Sequence, residues 1–161
     1  MITIKKVSWR ELEKIHCFLK KSWLDFPDPY FRVISKIDNA KIFTRLVKVL
    51  LLNWLQKLLA DYSTEMWIAE KDGNMVGISY VEIRRKRAIL HGIYVIKDFR
   101  GKGIGKLLLQ SVIRFCLEKD VHTFGLFVSR SNTIAINLFT KNGFKTVAIR
   151  NNIAYMELVL N

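Results

Sequence analysis

The residues best spaced for chemistry are Asp98-Phe99-Arg100-Gly101-Lys102-Gly103-Ile104-Gly105-Lys106. Glycines at alternate positions leave backbone N–H groups unshielded by side chains. A helical pattern begins immediately afterwards, so the unpaired N–H groups and positive dipole end of a helix face the same turn. Arg100, Lys102 and Lys106 add formal positive charge. Together these are a cradle for a phosphate or pyrophosphate.

The elements that position this turn follow from periodicity. Ala88 to Val95 reads as an apolar, central strand that enters it, and Ile104 to Lys119 as the helix that leaves it. Upstream, residues 2–7 alternate as a strand. Ser8 and Glu11 form a capping box for a helix reaching about Trp23. Asp25 to Tyr30, with both prolines, breaks that helix, and a second spans roughly 39–61. Strands are expected at 65–70 and 75–84, joined by the tight turn Lys71-Asp72-Gly73-Asn74. A basic turn, Arg84-Arg85-Lys86-Arg87, leads into the central strand. Downstream come a strand at 121–128, a helix at 132–141 stopped by Asn142-Gly143, and a hairpin of 144–149 with 153–159. The order β-α-α-β-β-β-α-β-α-β-β, without linker or repeat, predicts a single α/β domain over residues 1–161 with a mixed sheet.

Composition narrows the classes. The 161 residues suit one core, and half are hydrophobic. Lys and Arg number 27 against 14 Asp and Glu, a net charge of +13. That charge steers anions, whether a phosphorylated cofactor, nucleic acid or an acidic surface, or serves solubility alone. No basic stripe interleaved with aromatics marks a nucleic-acid partner. Leu46 to Ala60 is too short and too polar to span a membrane. Cys17 and Cys116 suggest buried thiols and a cytoplasmic chain. His16, His91 and His122 lie far apart and predict no metal site.

Register excludes two familiar glycine loops. A Walker loop ending at Gly105-Lys106 needs Gly at 100 and Ser or Thr at 107, where the chain has Arg100 and Leu107. A dinucleotide fingerprint from Gly101 needs Gly or Ala at 106, where the chain has Lys106. Arg100-Gly101-Lys102-Gly103-Ile104-Gly105 instead resembles the Arg/Gln-x-x-Gly-x-Gly/Ala motif of the GNAT N-acetyltransferase superfamily. Asn132-x-x-Ala135-x-x-Leu138-Phe139, followed by Gly143-Phe144, is similar to its downstream motif.

The resemblance implies a mostly antiparallel mixed sheet flanked by helices, and acetyl-CoA or another acyl-CoA as ligand. It implies pyrophosphate on the N–H groups of Gly101 to Lys106. Pantetheine would lie along Ile93, Tyr94 and Val95, with the Val95 N–H polarising the thioester carbonyl and Asn132 touching the pantetheine arm. The implied activity is acetyl transfer to a primary amine of a small molecule, protein N-terminus or lysine.

Two positions depart from the family pattern. The Tyr that usually serves as acid falls on Phe139, which the resemblance still places beside the cofactor, and the Glu or His that some N-terminal-amine acetyltransferases carry falls on Phe127. Substitutes are His91, expected on one face with Ile93 and Val95, and Glu82 on the neighbouring strand. Tyr80 and Tyr94 are further hydroxyl candidates. The acceptor wall is expected from Asp25 to Phe31 and Arg150 to Tyr155, and the apolar second helix offers core or a homodimer face. The alternative is an acyl-CoA-binding pseudo-enzyme or sensor without turnover.

Overall fold

The computed structural model describes residues 1–8, 11, 14, 15, 18 and 62–160. The expected second helix, the proline segment, most of the first helix, His16 and Cys17 lie outside the described residues.

Seven strands form one sheet: β1 (Ile2–Lys6), β2 (Tyr62–Lys71), β3 (Asn74–Arg84), β4 (Arg87–Val95), β5 (Thr123–Ser129), β6 (Lys145–Arg150) and β7 (Ile153–Val159). Their spatial order is β1-β2-β3-β4-β5-β7-β6. Every pair is antiparallel except β4 with β5. The helices α1 (Ile104–Glu118) and α2 (Thr133–Lys141) flank it, matching the expected mixed sheet.

Local sequence explains most boundaries. Asp72 and Gly73 both take positive φ, the geometry of a two-residue turn whose twist suits the flanking strands. Asn151 and Asn152 do the same between β6 and β7. The capping box forms as expected: the Ser8 N–H donates to Glu11 Oε2 at 2.9 Å, and the Ser8 hydroxyl donates to the same oxygen. At the end of α2, Gly143 takes φ +90°. Its N–H donates to Thr140 O, and the Phe144 N–H donates to Phe139 O. That is a Schellman stop, completed by Phe139 and Phe144 rings 5.7 Å apart.

Two strands begin away from their expected positions. β2 starts at Tyr62 rather than 65, because pairing with β3 extends to Arg84. β5 starts at Thr123 rather than 121. Asp120 takes φ +53° and His122 N–H donates to Lys86 O, so the chain is still turning at Val121.

The main core lies between the sheet and α1, where Leu108, Leu109, Val112 and Cys116 are fully buried against Val81, Leu90, Phe124 and Leu126. A second cluster on the other face joins Ile15 and Phe18 to Ile68, Ile78 and Tyr94.

Candidate active site

The sheet opens where its one parallel pair ends. β4 and β5 pair from Arg87↔Thr123 to Leu90↔Leu126, yet β4 continues to Val95 and β5 to Ser129. On the other side of β4, Ile96 N–H donates to Val76 O at 3.1 Å. Main-chain groups of an antiparallel strand alternate sides. Tyr94, paired with Ile78, therefore also turns its backbone to β3, while Ile93 and Val95 turn theirs toward the opening. Of the three residues expected along a pantetheine chain, Ile93 and Val95 offer N–H groups to it.

The glycine turn stands at the mouth of that opening. Gly101 and Gly103 take φ +75° and +78°, and Gly103 is the residue before α1. No atom lies within 4 Å of where a Cβ would stand at either one. The first intrahelical bond runs from Leu107 N–H to Gly103 O, so the N–H groups of Ile104, Gly105 and Lys106 precede it and point outward. Arg100 and Lys102 staple the turn. Arg100 Nε donates to Val95 O at 2.9 Å, and Lys102 Nζ donates to Asp98 O at 2.9 Å. Arg100 also lies over the Tyr94 ring, 5.6 Å from its centroid. An unobstructed row of N–H groups at a helix N-terminus, continued by outward N–H groups on a strand, fits a pyrophosphate followed by an amide-bearing arm.

His91 does not lie on the face expected for it. The β3–β4 register shifts so that Tyr80 faces Gly92 and Val81 faces Leu90, leaving His91 in a bulge. Ile93 and Val95 pack toward the main core. His91 instead joins the opposite face, where its Nε2 is 3.0 Å from Glu82 Oε2 and its ring lies 5.2 Å from that of Tyr80. The two candidate proton acceptors are in direct contact. Their side chains are 42% and 29% exposed, within reach of solvent and solute.

Asn132 caps α2, its Oδ1 accepting from Ala135 N–H at 3.1 Å. Phe139, expected beside the cofactor, is buried against Phe144 in the core. Phe127 is 65% exposed, its ring 5.0 Å from that of Tyr155. Tyr94 is buried with Phe18. Burial pushes the Cys116 thiol up to about 12, which makes it inert. Among the described residues there is no group of metal-ligating side chains, and no helix is long and apolar enough to cross a membrane.

A cleft of about 760 Å³ lies on the His91 face, between Glu82, the basic turn at Arg84 to Arg87, Phe127 and Tyr155. Tyr155, the last residue of the expected acceptor wall, lines this cleft, and its partnership with Glu157 is a feature the sequence reading did not include. Tyr155 Oη donates to Glu157 Oε2 at 2.8 Å, and burial, then that carboxylate, raise its pKa. The ring occupies space left by Gly125, where a Cβ would fall 2.5 Å from the hydroxyl. The signal available was the alternation of Ile153, Tyr155 and Glu157 along one face of a strand.

A mixed sheet split beside a glycine-rich helix start defines a class of acyl-CoA-dependent transferases. The chain belongs to the acetyltransferase (GNAT) family, whose profile matches residues 16–144. Acetyl-CoA is that family's acyl donor. The [ribosomal protein bS18]-alanine N-acetyltransferase of Escherichia coli (strain K12) is 29% identical over 102 residues, 62% of this chain and 69% of that protein. The spermidine N(1)-acetyltransferase of Thermoplasma acidophilum is 26% identical over 145 residues, 89% of this chain and 88% of that protein. The crystal structure of PaiA N-acetyltransferase from Thermoplasma acidophilum in complex with coenzyme A superposes with a TM-score of 0.72 at 24% identity, covering 99% of each chain. Matches cover 66% of a Bacillus subtilis relative and 59% of one from Archaeoglobus fulgidus, so the chain spans less than two thirds of these curated relatives.

Proposed function

We propose that this chain, as a single domain, transfers the acetyl group of acetyl-CoA to a primary amine by direct attack within a ternary complex. The observation that carries the reading is the His91–Glu82 contact of 3.0 Å on the face beside the sheet opening. Acetyl-CoA supplies an activated acyl group as a thioester. The chain's own residues do the rest. N–H groups from Gly101 to Lys106 hold pyrophosphate oxygens, with Arg100 and Lys102 keeping the turn in shape. N–H groups of Ile93 and Val95 bind and align the pantetheine arm. The Val95 N–H donates to the acyl oxygen as charge develops there; one such donor contributes about 2.7–4 kcal/mol elsewhere. The amine nitrogen attacks the thioester carbon, the C–S bond breaks and CoA leaves as thiolate; His91, its ring held beside Glu82 and Tyr80, accepts the amine's proton through water, and solvent protonates the thiolate. Asn132 stands at the far wall of the opening, at the start of α2.

The acceptor is an amine of a small molecule, a protein N-terminus or a lysine, and the chain works in the cytoplasm, where acyl-CoA is supplied. The test is CoA release from acetyl-CoA against an amine and peptide panel. Turnover that falls in His91→Ala supports the reading. Tight acetyl-CoA binding without turnover on any acceptor would instead make the chain a binding protein, the reading favoured by the phenyl rings at Phe127 and Phe139.

A further inference from the structure

We propose that the cleft beside His91 selects acceptors whose amine is followed by acidic residues: a peptide N-terminus with carboxylates at about its second to fourth positions. The inference rests on the acetyl-transfer reading and names its acceptor class.

Charge is the first argument. Among the described residues that line the cleft, Arg84, Arg85, Lys86 and Arg87 stand against the single carboxylate of Glu82. Glu82 is engaged with His91. Lys86 holds Asp120 at 2.7 Å with both side chains well exposed, and Arg87, itself exposed, is 4.0 Å from the partly buried Glu157. The rim thus keeps a strong positive field, on a protein of net charge +13. A polycation entering the cleft meets like charge, whereas an acidic chain is drawn in.

Spacing is the second argument. Glu82 and Arg84 are two residues apart on β3 and share a face. A strand rises roughly 3.3 Å per residue, so they stand roughly 7 Å apart. An extended peptide has the same rise. With its amine at the His91–Glu82 pair, its second or third side chain reaches Arg84 and the next reaches the turn. Guanidinium groups grip carboxylates through paired hydrogen bonds, which suits an acidic side chain.

Nucleophilicity is the third. An α-amine has an ordinary pKa near 8, against about 10.4 for lysine, so a larger fraction is neutral near pH 7. A half-exposed histidine–carboxylate pair has less to do for a chain terminus than for a lysine.

The experiment measures binding and turnover separately. Fluorescently labelled Ala-Asp-Glu-Glu and Ala-Lys-Arg-Lys peptides, labelled at the C-terminus, are titrated into the protein with CoA present and followed by anisotropy. The same peptides, unlabelled, are then assayed for kcat/KM with acetyl-CoA. The acidic peptide is expected to bind at least tenfold more tightly, an advantage that shrinks several-fold between about 50 and 300 mM salt. The double variant Arg84→Glu, Arg85→Glu is expected to reverse the preference while leaving the CoA-induced thermal shift unchanged. Equal or reversed binding by the wild-type protein overturns the proposal. So does a single-stranded oligonucleotide that displaces the acidic peptide at a concentration below the peptide's own Kd, because the field would then serve nucleic acid. Acidic-peptide binding without turnover on either peptide upholds the cleft's selectivity and overturns the transferase reading alone.

Discussion

Arg100 and Val95 are joined across the glycine turn: the Arg100 Nε donates to the Val95 carbonyl at 2.9 Å, and its guanidinium covers the Tyr94 ring. The carbonyl held this way belongs to the residue whose N–H faces the sheet opening. One side chain therefore links the glycine turn to the strand proposed to align the thioester.

Replacing Arg100 with Ala is expected to raise KM for acetyl-CoA about five- to tenfold. A charge-assisted hydrogen bond at an exposed site contributes on the order of 1 kcal/mol after solvent screening. Arg100→Lys keeps the charge but not the planar fork, and is expected to recover little of the loss. Full recovery in steady-state kinetics would assign Arg100 to bulk charge instead.

Gly103→Asp separates folding from binding. The left-handed backbone costs a side chain about 1–2 kcal/mol, and an acidic group beside the positive end of α1 returns about 0.3–1 kcal/mol. With open space around the position, Tm is expected to move by only a few degrees. The new carboxylate stands where phosphate oxygens belong, so the thermal shift given by CoA should vanish. A shift of wild-type size would remove the turn from the cofactor site.

His91→Ala is expected to lower kcat about a hundredfold and Glu82→Gln about tenfold, with KM for acetyl-CoA unchanged. Proton acceptors contribute roughly 10²–10⁴-fold, whereas a group that orients one contributes less. Full kcat/KM for His91→Ala at every pH from 6 to 9 would sink the assignment.

The capping box makes an acid-stability prediction. Hydrogen bonds from Ser8, side chain first, hold the Glu11 carboxyl down at about 2. A depressed folded-state pKa stabilises above the unfolded value, near 4.3, and is lost as pH falls toward 2. Glu11→Gln should therefore unfold more easily than wild type in urea at pH 7. The gap should close between about pH 4.5 and pH 2. A gap of constant size across that range would show that ionisation of Glu11 plays no part.

What the chain discloses in advance depends on how local the cause is. The turn at Asp72-Gly73, the Gly143 stop and the Ser8–Glu11 box each need only a few neighbouring residues, and each forms as read. The cradle is local too. The bulge at His91 is not: register is settled by packing across three strands, and nothing adjacent to His91 announces it. It changed which face His91 serves and brought it to Glu82 through a strand shift that alternation alone does not foresee. Tyr155 reaches the cleft from β7, a strand distant in sequence from β5, over the gap at Gly125 and with its hydroxyl donating to Glu157.

The early end of the β4–β5 ladder has one more consequence. Beyond Leu90 and Leu126 the sheet possesses an edge in its interior, where main-chain groups of a central strand have no strand beside them on the β5 side. Exposed edges invite strands of other chains, and proteins blunt them with charge, bulges or cover. This edge cannot be blunted without losing the socket. Its safeguards are the bulge at its entrance and the cations around its mouth. Under the proposed function the acyl-CoA would be a third, because a thioester arm laid along β4 would cover the same groups that a strand of another copy could pair with.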